Sequence, residues 1–251
     1  MIKKQLILYL FLAIGFSTFS QKIAIQKNNV GFRSEFYGGL AMHSAGWGFN
    51  LTRGKFKTYK ITTLYSLEFV SMKHPKESKI NYSSSLSESS PFKFGKLNSF
   101  YTTRLNYGKK YMLFEKFRNK GVEIFGTWQT GLNIGLIKPI YLEILRYDTN
   151  DLIIDPKPEE RYDPNIHTES NIWGKGSFSS GFSSIKVVLG AHLKGGFMFE
   201  FSRRRERILT IETGVIIDYY PTKVPIMAYN KENDLFFNLY INVLFGKKYY
   251  E

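Results

Sequence analysis

The stretch from Phe236 to Phe245, close to the C-terminus, constrains this chain more than any other. Phe237, Leu239, Ile241, Val243 and Phe245 alternate there with Asn238, Tyr240 and Asn242. Successive side chains of a strand point to opposite faces, so one face is apolar and the other polar. That division suits lipid on one side and a wet interior on the other. Hydrocarbon offers no partner to a free backbone N–H or C=O, so a sheet in that setting has to close on itself. Closure demands further strands of the same pattern.

The chain supplies them. Period-two alternation, broken by clusters of Gly, Pro, Asn and Ser, predicts eight strands near residues 33–43, 47–56, 59–72, 96–114, 122–138, 185–202, 208–220 and 236–245. With the N-terminus on the periplasmic side, the turns near Lys57, Arg118 and Arg203 fall inside, and the long loops after Met72, Lys138 and Tyr220 fall outside. The connection 44–46 is a short external exception. A secreted sandwich would also alternate, but short inner turns and long outer loops are the habit of outer-membrane barrels. The expected fold is all-β: an eight-stranded antiparallel up-and-down transmembrane β-barrel.

The N-terminus agrees with export. Lys3 and Lys4 precede an apolar run from Leu6 to Phe16, and Thr18-Phe19-Ser20 offers a small-residue cleavage site. The run is too short to span a bilayer as a helix. Residues 1–20 are therefore expected to be a signal peptide and 21–251 one barrel domain. With no Cys in 251 residues, the chain has no disulfide, no cysteine to acylate and no thiolate for metal or catalysis. Aromatics make up 17% of the chain, which suits interfacial belts, and the mean hydropathy of −0.24 reflects two averaged strand faces.

Eight strands leave a bore that side chains can fill. The inward set is read as Glu35, Lys60, Glu68, Arg104, Glu123, Lys194, Glu200 and Glu212, together with Asp218. Buried charges persist only when paired, so these residues are expected to form a structural charge network, with an ion path as the rival. The histidines, His43, His74, His167 and His192, show no metal-ligand spacing, and no metal or cofactor is expected. Ser44 follows His43, but adjacent strand residues face apart, which disfavours a Ser–His acyl-transfer pair.

Net charge is +14, about +12 without Lys3 and Lys4. Bases crowd three predicted periplasmic sites: Arg203, Arg204, Arg205 and Arg207; Lys116, Arg118 and Lys120; and Lys247 and Lys248. Such patches suit solvent or anionic phospholipid, and export without a binding motif argues against nucleic acid. The long external loop, about 143–184, carries Asp148, Asp151, Asp155, Glu159, Glu160, Asp163 and Glu169. Its prolines and apolar residues predict an ordered lid or docking surface, with Tyr162, Asp163 and Trp173 as candidate partner contacts.

The leader ending Phe19-Ser20-Gln21, the eight alternating strands and the ending Leu244-Phe245-Gly246-Lys247-Lys248 resemble small outer-membrane β-barrel proteins of Bacteroidota. Residues 69–77 and 161–168 resemble segments of one largely uncharacterised group among them. The resemblance spans the mature chain, carries no catalytic motif, and implies the outer membrane of a Gram-negative bacterium. The expected role is non-enzymatic: a structural or accessory subunit of a larger outer-membrane complex for protein insertion or secretion, with outer-membrane lipids and membrane proteins as partners. The rivals are a small channel or ligand carrier and a lipid-modifying barrel enzyme.

Overall fold

A computed structural model describes residues 31–80, 90–116, 121–146 and 158–250. The expected leader, the turn residues Arg118 and Lys120, and the loop residues Asp148, Asp151 and Asp155 lie outside that set.

Long alternating segments become barrel strands: β1 (Ser34–His43), β2 (Gly46–Phe56), β3 (Ile61–Met72), β4 (Asn98–Phe114) and β5 (Glu123–Pro139). Three short strands follow, β6 (Tyr141–Ile144), β7 (Glu159–Arg161) and β8 (Ile172–Lys175). The barrel resumes with β9 (Lys186–Glu200), β10 (Arg207–Val224) and β11 (Asn233–Tyr249). Its order is β1-β11-β10-β9-β5-β4-β3-β2, every pair is antiparallel, and β1 against β11 closes the sheet. The fold is an eight-stranded transmembrane β-barrel. Its shortest strands, β1 and β2, have 10 and 11 residues, enough for a tilted strand to cross a bilayer.

Alternation sets the faces as the sequence requires. On β11, Leu239, Ile241 and Phe245 are exposed outward, while Asn238, Tyr240 and Asn242 are buried inward. Aromatics gather toward both ends of the outer face. Tyr65 and Tyr107 lie toward the end with short turns, where β1 begins and β11 ends, called here the turn end. Trp47, Phe69 and Tyr101 lie toward the opposite, loop end.

Inside, a stack of layers fills the bore. Tyr37, Phe125, Met198, Ile208 and Leu244 form an apolar cluster at the turn end. A second cluster at the loop end joins Ala41, Val70, Met72, Phe100, Ile137 and Tyr220 to Val224, Ile226 and Met227. Polar groups lie between them. Inward glycines make room: a Cβ on Gly54 would stand 2.5 Å from Glu35 Cγ, and one on Gly196 would stand 2.6 Å from the Tyr240 hydroxyl.

The strands β6, β7 and β8 form a separate sheet, ordered β7-β6-β8, within the β5–β9 connection. Its apolar side packs into a third cluster: Phe92, Leu142, Ile144, Tyr162, Ile172 and Ala228. Those residues come from three different loops at the loop end. Backbone bonds knit the loops together: Leu97 N to Ile226 O, Ala228 N to Gly95 O, Ile140 N to Leu97 O and Tyr162 N to Ile140 O.

Candidate functional site

The central layer of the lumen is built on Arg104, which β4 aims inward with no exposure to solvent. Its Nε and Nη2 each donate to a carboxylate oxygen of Asp218 at 2.8 Å, and Nη1 donates to Glu68 Oε1 at 2.6 Å. The planar guanidinium fork matches a carboxylate with two parallel bonds, which fixes orientation as well as charge. Asp218 stands on β10, across the bore from β4, so this pair ties non-neighbouring strands.

Lys194 completes the layer. Its Nζ lies 3.0 Å from Glu68 Oε2, 3.7 Å from Glu212 Oε2 and 4.3 Å from the centre of the Tyr240 ring. Glu212 also accepts from Thr127 Oγ1, the Tyr240 hydroxyl and Asn242 Nδ2. Asn133 donates to Asp218 at 2.9 Å and carries His192 Nδ1 on its Oδ1 at 2.6 Å. Nearer the turn end, Lys110 meets Glu35 at 2.5 Å and Lys248 meets Glu200 at 2.7 Å. Glu123 is half-buried there, opposite Glu200 in the β5–β9 ladder.

Two expectations about the charges change. Lys60 is exposed, in the turn before β3, with its ammonium 5.3 Å from the Tyr59 ring centre. Backbone bonds between Thr58 and Ile61 close that turn, so the regular alternation starts only at Ile61. Lys248, grouped with the basic patch at the C-terminal end, instead turns into the lumen onto Glu200. Lys110 and Lys248 are the bases that sequence reasoning missed. Both share the inward parity of recognised neighbours, Arg104 and Asn106 on β4 and Asn242 on β11, and that parity was the available signal.

The cap at the loop end uses its charges internally. Glu77 is held by Lys93 and by Lys96, with both carboxylate oxygens 2.9 Å from the Lys96 ammonium. Burial pushes the Glu77 carboxyl up, and the bonds and charges of the two lysines outweigh it, leaving its pKa below the usual carboxylate range. Glu160 meets Arg146 at 2.5 Å, and Glu159 receives the Ser177 amide. Tyr162 and Trp173, expected as partner contacts, are buried, because the cap needs an apolar side of its own. Asp163 is spent on a turn, accepting the Asn165 amide at 2.9 Å. At the cap's outer tip, Tyr229 and Ile166 are 77% and 64% exposed.

Each histidine has a partner of its own. His43 Nδ1 accepts from the Ala45 amide, His74 Nδ1 from the Lys76 amide, and His167 Nδ1 from the Asp163 amide. Ser44 Oγ donates to Asn238 Oδ1, not to His43. Among the described residues, no three His, Asp or Glu side chains gather as metal ligands do.

No known family model matches the chain, and no curated protein matches it. Among solved structures, the chain is similar to Neisserial surface protein A, with 8% identity, a TM-score of 0.42, and coverage of 87% of this chain and 97% of that one. It is also similar to Ail, the attachment invasion locus protein of Yersinia pestis, with 10% identity, a TM-score of 0.40, and coverage of 87% and 99%.

Proposed function

We propose that the protein resides in the outer membrane of a Gram-negative bacterium and serves, without catalysing a reaction, as a structural or accessory subunit of a larger outer-membrane assembly of the protein-insertion or secretion kind. The apolar outer face supports the location, since a closed sheet with lipid-facing alternation is how strands cross that membrane. The observation that carries the role is the division between a filled bore and a built cap. Paired charges between two apolar layers occupy the lumen, while three loops cooperate to present a surface outside.

The tip of that surface holds stored strain. Tyr229 has a φ of 58°, unusual for a residue with a side chain, and its hydroxyl donates to Pro164 O at 2.9 Å. Such conformations cost about 1–3 kcal/mol and concentrate at functional sites. Together with Ile166, Tyr229 replaces Tyr162 and Trp173 as the candidate partner contact. The test is purification from native membranes in mild detergent, followed by mass spectrometry of what co-purifies. Tyr229→Ala with Ile166→Asp is expected to lose a partner that the unaltered barrel retains. If the variant folds and keeps every partner, the cap-docking role is wrong.

A further inference from the structure

The outer face of the barrel carries charge of one sign. Among the described residues of the eight barrel strands, no Asp or Glu falls on the outward-facing parity, and at the turn end the outward bases are Arg53, Lys55, Lys109, Arg207 and Lys247. The cross-strand register threads part of this set into a row: Tyr107, Tyr65, Arg53, Phe36, Lys247 and Arg207, on β4, β3, β2, β1, β11 and β10 in turn. One step toward the middle of the barrel lies a row of leucines, Leu132, Leu105, Leu67 and Leu51. One step toward the turn end lies another row, Lys109, Thr63 and Lys55.

Leucine, then aromatic and arginine, then lysine is the order in which a bilayer passes from acyl chains to headgroups. A shallow groove of about 520 Å³ runs where the first two rows meet, lined by Phe36, Leu51, Arg53, Tyr65, Leu67 and Leu105 among others. Arg53 and Lys55 have no acidic partner among the described residues. An arginine on the lipid face is tolerated near the interface and not at the midplane, and its fork fits a phosphate.

We propose that this face binds an anionic glycerophospholipid of the periplasmic leaflet. Arg53 and Lys55 take the headgroup phosphate, Tyr65 and Tyr107 sit at headgroup level, and the groove beside the leucine row takes an acyl chain. The inference rests on the outer-membrane reading above. A phosphorylated lipid of the outer leaflet offers the same chemistry from the opposite side, and would be held by bases at the loop end, where Lys223 is outward and exposed.

The test is native mass spectrometry of the purified barrel in mild detergent, with phosphatidylglycerol or phosphatidylcholine added. Phosphatidylglycerol is expected to stay bound with at least about a tenfold preference, the scale two bases beside an anionic headgroup supply. Arg53→Gln with Lys55→Gln is expected to abolish that preference and Lys223→Gln to leave it intact. All these side chains face outward, so heat-modifiable electrophoretic mobility checks that each variant remains folded. Equal retention of the two lipids, a preference that survives the double variant, loss of preference in Lys223→Gln, or a dimer that displaces lipid from the groove would each overturn the site. Insertion into vesicles is measured separately: a barrel that inserts and shows no preference fails only this proposal, and one that never inserts fails the membrane reading beneath it.

Discussion

At the scale of single residues, the lumen concentrates the consequences of substitution. Arg104→Met would strip Asp218 and half of Glu68 of their counter-charge while leaving both carboxylates buried. Removing one partner of such a buried pair costs about 3–5 kcal/mol, to be read as a lower urea midpoint for the barrel in detergent micelles. Arg203→Met, in the exposed turn between β9 and β10, is expected to change the midpoint little. In the cap, the Glu77 carboxyl titrates below its unfolded value of about 4.3. Its contribution to stability is thus complete above that unfolded value and is lost as pH falls through the lower folded one. Hydrogen-exchange protection factors of residues 73–80 and 90–97, taken relative to the intrinsic exchange rate at each pH, are expected to fall on acidification through that window, and Glu77→Gln to remove that fall.

At the scale of elements, a strand's two faces answer differently to charge. Ile241 is half-exposed on the lipid side of β11, midway along the outward row, whereas Asn242 points inward and donates to Glu212 at 3.0 Å. Ile241→Arg is expected to cost about 2–4 kcal/mol in a bilayer refolding assay. Asn242→Ser forfeits one hydrogen bond, about 1 kcal/mol. Equal tolerance of the two would reject the register. The eight barrel strands were legible because each repeats its two-residue period over ten residues or more. The cap strands were not: β6 has 4 residues and β7 has 3, too few for a period to stand out. Their apolar side is completed by Phe92 and Ala228 from other loops, and no local pattern announces such long-range pairing. Tyr162 and Trp173 therefore looked like free anchors in a loop, when they are buried residues of a cap whose existence the sequence does not declare locally.

At the scale of the whole molecule, the barrel's strand ladders do not depend on the cap sheet, because β5 pairs directly with β9 from Glu123–Glu200 to Ile137–Lys186 without using β6, β7 or β8. Replacing residues 155–173 by a short Gly-Ser link would remove Tyr162 and Ile172 from the cap cluster and leave every barrel ladder intact. Far-ultraviolet circular dichroism and heat-modifiable mobility are expected to report a folded barrel. The same variant addresses conduction. The lumen's two apolar layers and its central charge layer belong almost wholly to the strands, with Ile226 and Met227 added from the loop before β11, so the deletion takes nothing from them. If the strand-borne layers close the bore, neither the unaltered protein nor the cap-deleted one should show steady ohmic conductance in planar bilayers. A current appearing only after deletion would make the cap a gate over a permeable lumen. Steady current from the unaltered protein would go further, placing a transport path through the Arg104–Asp218 layer and ending the reading of this barrel as a closed scaffold.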